Sequence, residues 1–175
     1  MNFLATLPVN PILPVNLLLG YGIFITALRI YVWPRLPMLS PQALLTPILL
    51  LHMMRELGLM FMFEGATLPG MPAGFAVPAA WGDLAAAVLA LIALRAVRTG
   101  AASARHWVWV FNLFGTADLI NAIAMAITHQ SAPHLGAAYW IPAFWVPMLL
   151  ATHTVVFVYL WRHWRPATGP AQNLG

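Results

Sequence analysis

The chain has 175 residues, of which 62% are hydrophobic and 7% are charged, and its formal net charge is +4. Soluble domains carry about 25% charged residues, so this composition excludes an ordinary soluble domain and indicates an integral membrane protein. There is no cysteine and no lysine, which excludes disulfides, thiolate metal sites and lysine nucleophiles. The small, scattered positive charge excludes a nucleic-acid partner, and no motif predicts a metal site.

Five apolar segments reach the length of about 20 residues that a membrane-spanning helix needs. Stretches rich in proline and glycine, such as "WPRLPMLSP" and "EGATLPGMPAG", separate them, because these residues interrupt helices. We predict an all-α polytopic membrane protein, with a five-helix up-down transmembrane bundle within residues 1–165. The predicted spans are 10–33, 42–63, 76–97, 106–128 and 139–162, and a disordered tail follows at 166–175.

The arginines other than Arg55 lie at alternate junctions of the spans. They lie at the first junction, at the third junction and at the end of the last span, namely Arg29, Arg35, Arg95, Arg98, Arg105, Arg162 and Arg165. Because loops rich in arginine stay in the cytoplasm, we predict an amino terminus outside and a carboxy terminus in the cytoplasm. The predicted location is the cell membrane, which is the inner membrane if the source is bacterial.

The stretch "LLLHMMRELGLMFMF" places His52, Arg55 and Glu56 inside the second predicted span. Their i, i+3, i+4 spacing puts all three on one face of an α-helix. A charge at the centre of a span costs about 2.5–3.5 kcal/mol, so we expect this face to point into the bundle. At about 1.5 Å of rise per residue, other polar groups reach the same layer in the outer half of the bilayer. These are Asp83, Asp118, Asn121 and His153. On the fourth span we expect Gly115, Asp118, Asn121 and Ala122 to form one stripe of the helix.

Two interpretations of this polar layer remain open. Arg55 paired with Asp83 or Asp118 could serve only to hold helices together. Alternatively, one arginine facing three acids beside a histidine fits proton-transfer chemistry, with His52 and Glu56 as the catalytic pair. Trp145, on the proline-rich start of the last span, would then line an aromatic vestibule of the site.

Three segments, "LPGMPAGFAVPAAWGDLAAAVLA", "FNLFGTADLINAIAMAITH" and "IPAFWVPMLLATH", are similar to a family of small multi-spanning bacterial membrane proteins without assigned chemistry. A second resemblance is one of arrangement. His52 and Glu56 form a His-x-x-x-Glu pair on the second span, Asp118 lies on the fourth, and Trp145 lies on the last. This arrangement resembles the EXPERA superfamily, which includes the emopamil-binding sterol isomerase, and it implies isomerase-like proton transfer.

Two features depart from the EXPERA pattern. Gly74 stands near the position of an acidic residue that the superfamily has before the tryptophan of its third span, and Asp83 comes later. Arg55 inside the site is also foreign to that pattern. The resemblance therefore implies an arrangement of helices more than a particular reaction.

The sequence favours a pocket for a lipophilic small molecule in the outer half of the bundle, covered by the aromatic residues of the last span; membrane lipids surround the bundle. One alternative is a b-type haem protein, in which His52 and His153 clamp the haem and Arg55 meets a propionate; otherwise no cofactor is required. Another is a proton-coupled small-molecule carrier, which would need a homodimer because five spans do not divide into an inverted repeat. The last alternative is a structural subunit of a larger membrane complex.

Overall fold

The computed structural model describes residues 12–164, which form five helical spans long and apolar enough to cross a membrane: Ile12–Arg35, Pro41–Met62, Ala73–Arg98, Ala104–Thr128 and Gly136–Arg162. Each contains one α-helix, and 3₁₀- or π-helical turns complete the first, second and fifth spans. Helix α1 comprises Ile12–Tyr31, α2 Pro41–Met53, α3 Ala73–Arg98, α4 Ala104–Thr128 and α5 Val146–Arg162. The prediction of an all-α chain with five such helices is confirmed. The start of the first predicted span, residues 10 and 11, and the predicted tail at 166–175 lie outside the described residues.

The second span changes its winding halfway along. After α2 the chain continues as a 3₁₀-helix over Met54–Met62, although 3₁₀ runs longer than about four residues are uncommon. Its buried residues are Arg55, Gly58 and Phe61, which recur every third residue because a 3₁₀-helix has three residues per turn. His52, in the last turn of α2, is buried and continues the same row.

The buried face of α3 is built mainly from alanine. Its buried alanines are Ala76, Ala79, Ala80, Ala86, Ala87, Ala90, Ala93 and Ala96. Small side chains let neighbouring helices approach closely, and α3 accordingly packs against α2, the 3₁₀ segment and α4. This close packing brings Asp83, in the middle of the α3 face, next to the 3₁₀ segment.

One end of the bundle carries arginines, and we call it the arginine end. The Tyr159 hydroxyl donates to the Leu39 carbonyl there at 2.9 Å, and Arg105 Nη2 donates to the Leu160 carbonyl at 3.2 Å. The arginines near the helix termini at this end are Arg29, Arg35, Arg95, Arg98, Arg105 and Arg162.

At the opposite end, which we call the loop end, two connecting segments join. The Leu68 amide donates to the His134 carbonyl and the Ala138 amide donates to the Ala66 carbonyl, both at 2.9 Å. A π-helical turn over Ile141–Trp145 then leads into α5. The candidate site lies between this end and the middle of the bundle.

Candidate functional site

Arg55 is the centre of a buried ion-pair cluster that joins three helical segments. Its Nε donates to Asp83 Oδ1 at 2.7 Å on α3, and its Nη2 donates to Asp118 Oδ2 at 2.5 Å on α4. Its Nη1 donates to the Gly115 carbonyl at 3.1 Å. Arg55 is 1% exposed. We call Arg55, Asp83 and Asp118 the Arg55 cluster; it sets two negative charges against one positive charge.

Three glycines provide the space that these charged groups occupy. A Cβ atom on Gly58 would overlap Asp83 Oδ2, and one on Gly82 would overlap Asp118 Oδ1. A Cβ atom on Gly115 would lie 2.7 Å from His153 Cε1 and 3.0 Å from Arg55 Nη1. The absence of side chains at these positions is therefore what lets the ion pairs form between closely packed helices.

Glu56 does not join the cluster, so the prediction that it shares a face with His52 and Arg55 is wrong. His52 and Arg55 are buried, whereas Glu56 is exposed on the outside of the bundle. The prediction assumed α-helical winding, but the 3₁₀-helix repeats every three residues. Residue 55 therefore follows His52 on the inner face, and residue 56 turns away from it.

Asn121 also lies outside the site, contrary to expectation. It is exposed, while Gly115 is buried and Asp118 and Ala122 are half-buried on the same helix. At about 100° per residue, position 121 is about 120° away from Gly115, whereas 118 and 122 stay within about 60° of it. The inner stripe of α4 therefore passes through Asp118 and Ala122 and leaves Asn121 out.

His52 and His153 pack against each other beside the Arg55 cluster. Their ring centroids are 4.3 Å apart, and both rings contact Phe111. His52 Nε2 lies 2.9 Å from Thr152 Oγ1, and His153 Nδ1 lies 2.7 Å from Asn112 Oδ1. Within the described part of the chain, His52 Nδ1 and His153 Nε2 are buried without a hydrogen-bond partner.

This histidine pair does not fit a haem clamp. Axial histidines stand on opposite faces of the porphyrin with metal–nitrogen bonds of about 2 Å, which puts their ring centroids about 6 Å apart or more. The two rings are 4.3 Å apart and are packed on the same phenylalanine, so no porphyrin plane fits between them. Arg55 is also 1% exposed and already paired with both Asp83 and Asp118, so it is not placed to meet a propionate.

A cavity of about 520 Å³ lies next to the cluster, and Asp83 and His153 form part of its wall. Most of the wall is aliphatic or aromatic and comes from α1, α4 and α5, with Phe61, Phe75 and Leu135 closing it towards the loop end. His52, in contrast, does not belong to the wall. Of the two packed histidines, His153 is the one that a molecule in the cavity would meet.

Trp145 stands beside the cavity without lining it. It packs against two clusters of buried residues, one around Phe61 and Phe75 and the other around Leu119 and Leu149. Its ring meets that of Trp140 edge-on with a centroid distance of 5.9 Å. In residues 12–164 its buried Nε1 has no hydrogen-bond partner.

Asn112, Thr152, Gly58 and Gly82 complete the site, and the sequence interpretation did not select them; Gly115 was expected on the inner stripe of the fourth span. Asn112 had a usable signal, because it is a polar residue in an apolar run three positions before Gly115. Thr152 had none, since a threonine in a helix commonly bonds a carbonyl one turn back, as it does here to Leu149.

The family model for a domain of unknown function, DUF8737, matches residues 12–161. The chain belongs to this family. The DUF8737 match spans nearly all of the five helices and includes every residue of the Arg55 cluster and of the cavity wall. No curated protein and no solved structure matches the chain significantly. A functional assignment must therefore be argued from the geometry of the site.

Proposed function

We propose that this DUF8737 protein is a multi-pass membrane protein that binds a lipophilic small molecule in the cavity beside the Arg55 cluster. The observation that carries the proposal is the cavity of about 520 Å³, which combines an apolar wall with Asp83 and His153. Pockets for small molecules commonly enclose about 300–1,000 Å³ and combine apolar walls with a few polar groups that fix orientation. A pure helix-packing role for the cluster would not require such a space.

The surroundings of the cavity support entry from the lipid phase. Leu18 on α1 and Ile127 on α4 both line the cavity, and they are 73% and 47% exposed on the outside of the bundle. Helix α1 packs mainly against α5 and the π-helical turn, so the space between α1 and α4 is open at the side. A lipophilic molecule dissolved in the bilayer would enter there without crossing water.

Loops rich in arginine stay in the cytoplasm, which supports a cytoplasmic position for the arginine end. The loop end, the cavity and the Arg55 cluster then belong to the outer half of a cell membrane, with the amino terminus outside. Asp83 is ten residues from the start of α3 at the loop end, so it lies about 15 Å along the helix from that end.

We propose binding rather than isomerase-like catalysis because the expected acid–base pair is not assembled. Glu56 is on the outside of the bundle and His52 is behind the cavity wall. The resemblance to the EXPERA superfamily therefore supports the order of the helices in this proposal but not a chemical reaction.

Native mass spectrometry of the gently extracted protein tests this proposal with two matched variants on α4. Ala122→Trp places an indole in the cavity, whereas Ala124→Trp places one on the exposed face of the same helix. We expect the wild type and Ala124→Trp to retain a small-molecule adduct that Ala122→Trp loses, with all three helical by circular dichroism. Equal adducts in all three proteins, or none in the wild type, would overturn the proposal.

A further inference from the structure

The hydroxyl groups in the cavity wall have already donated their hydrogens within the protein. Thr116 Oγ1 donates to the Asn112 carbonyl at 2.7 Å, and Thr154 Oγ1 donates to the Leu150 carbonyl at 2.9 Å. Tyr21 Oη is 3.1 Å from Thr154 Oγ1. Because a hydroxyl has one hydrogen and that of Thr154 is used, Tyr21 donates to Thr154. All three hydroxyls therefore offer only lone pairs to a molecule in the cavity.

His153 adds an acceptor that is buried behind the surface of the cavity wall. Asn112 Nδ2 donates to the His153 carbonyl at 3.3 Å, which leaves Asn112 Oδ1 to accept from His153 Nδ1 at 2.7 Å. A neutral imidazole with its hydrogen on Nδ1 presents an acceptor at Nε2. His153 is 1% exposed, and its Nε2 has no partner in residues 12–164. This buried acceptor belongs to a residue of the cavity wall.

Asp83 is the charged group of the cavity wall, and its carboxylate oxygens can only accept hydrogen bonds. Its Oδ1 receives the hydrogen of Arg55 Nε, while its Oδ2 receives none from the described residues. Arg55 supplies one positive charge to the two carboxylates of Asp83 and Asp118. The two carboxyl groups therefore share a single cationic partner next to an apolar cavity, where electrostatic interactions are stronger than in water, and a second cation beside Asp83 would be stabilised there.

We propose that the ligand of this cavity is a lipophilic cation with N–H donors, an amine whose ammonium group pairs with Asp83 while its apolar body fills the space between α1, α4 and α5. This inference rests on the proposed function and adds the chemical class of the ligand. An ammonium group has three donors and no acceptor, which matches a wall that offers acceptors and an acid that shares its arginine with a second acid. A carboxylate ligand would set acceptors against acceptors and like charge against like charge.

The test uses three probes of one shape and different polar groups: 4-phenylbenzylamine, 4-phenylbenzyl alcohol and biphenyl-4-carboxylate. Each is titrated calorimetrically into the purified full chain in detergent at neutral pH, with Ala122→Trp as the background for non-specific micelle binding. We expect the amine to bind at least about tenfold more tightly than the carboxylate, with the alcohol between them, because it donates without charge. A carboxylate or alcohol that binds as tightly as the amine would overturn the cation proposal and leave the cavity proposal standing. Failure of all three probes to bind above background would overturn both.

Two variants that each replace one acidic residue test whether Asp83 causes the preference for the amine. Asp83→Asn removes the negative charge from the wall, and we expect the preference for amine over carboxylate to fall at least about tenfold. Glu56→Gln removes an acid from the outside of the bundle, and we expect it to leave the preference unchanged. Equal effects of the two variants would overturn the pairing with Asp83. The wild-type probe series decides the ligand class even if Asp83→Asn fails to fold.

Discussion

Arg55 Nε lies 2.7 Å from Asp83 Oδ1, and the two residues come from neighbouring segments that touch because Gly58 has no side chain. The pair is buried, and Arg55 holds Asp118 at the same time. This contact connects the unusual 3₁₀ winding of the second span with the cavity, since Asp83 belongs to both the cluster and the cavity wall. The stability of the bundle and its ligand preference are therefore expected to depend on the same few residues.

Replacement of Arg55 by methionine keeps an unbranched, flexible stem that is similar in shape but shorter, and removes the charge that two buried carboxylates share. We expect a loss of about 3–5 kcal/mol of unfolding free energy, the range for breaking a buried ion pair by removing one partner. Unfolding in mixed micelles with increasing denaturing detergent measures it. Arg98→Met is the matched control, because Arg98 is exposed at the arginine end. A similar loss in both variants would show that Arg55 is not the centre of a buried cluster.

Replacement of Gly82 by alanine introduces a Cβ atom into the position of Asp118 Oδ1. We expect the α3–α4 contact to open and the protein to lose about 1–3 kcal/mol, as for overpacking of a tight core. Gly22→Ala on α1 has nothing within 4 Å of the new Cβ atom and is expected to be neutral or to stabilise the helix by up to about 1 kcal/mol. Thermal unfolding followed by circular dichroism compares them. Gly82→Ala unfolding no earlier than Gly22→Ala would contradict the packing described here.

Replacement of Asn112 by leucine removes the group that orients His153. The His153 Nδ1 hydrogen and the His153 carbonyl both lose their Asn112 partner, and we expect destabilisation of about 1–3 kcal/mol from unsatisfied buried polar groups. Asn121→Leu on the same helix is the control, because Asn121 is exposed and is expected to tolerate leucine. Chemical shifts of the histidine ring nitrogens should change only in Asn112→Leu. Unchanged His153 resonances in that variant would argue against the hydrogen bond.

The proposed orientation is testable because the natural chain has no cysteine. Glu64→Cys places a thiol at the loop end, and Ala102→Cys places one between α3 and α4 at the arginine end; both positions are exposed. In intact spheroplasts of the expression host, an impermeant maleimide is expected to label residue 64 and to label residue 102 only after permeabilisation. The reverse labelling pattern would place the arginine end outside and invert the proposed topology.

The five helices could be predicted because each apolar run is long and ends at proline- or glycine-rich sequence. Arg55 near Asp83 and Asp118 could be expected too, since an unpaired charge inside an apolar bundle is costly. The sequence predicted that Arg55 pairs with one aspartate or the other, whereas in the structure Arg55 pairs with both. That outcome depends on the glycines opposite each carboxylate, which no charge argument identifies.

The errors at Glu56 and Asn121 have different physical causes. Glu56 was assigned to the inner face by α-helical spacing, and the local 3₁₀ winding rotates it outward. Asn121 was assigned by its depth and by a stripe that it was expected to share with Gly115, Asp118 and Ala122, but at about 100° per residue it lies about 120° from Gly115 around the helix. A pocket beside the polar layer was predicted, but its walls could not be, because it arises where α1 packs against α5 and leaves space beside α4, a long-range arrangement with no local sequence pattern.

An experimental structure of the chain with 4-phenylbenzylamine tests the central claim most directly. The account predicts ligand density inside the cavity, with the ammonium nitrogen within hydrogen-bond distance of Asp83 and the biphenyl between α1, α4 and α5. Density confined to the outer surface of the bundle, or a closed cavity with Asp83 bonded only to Arg55, would contradict it.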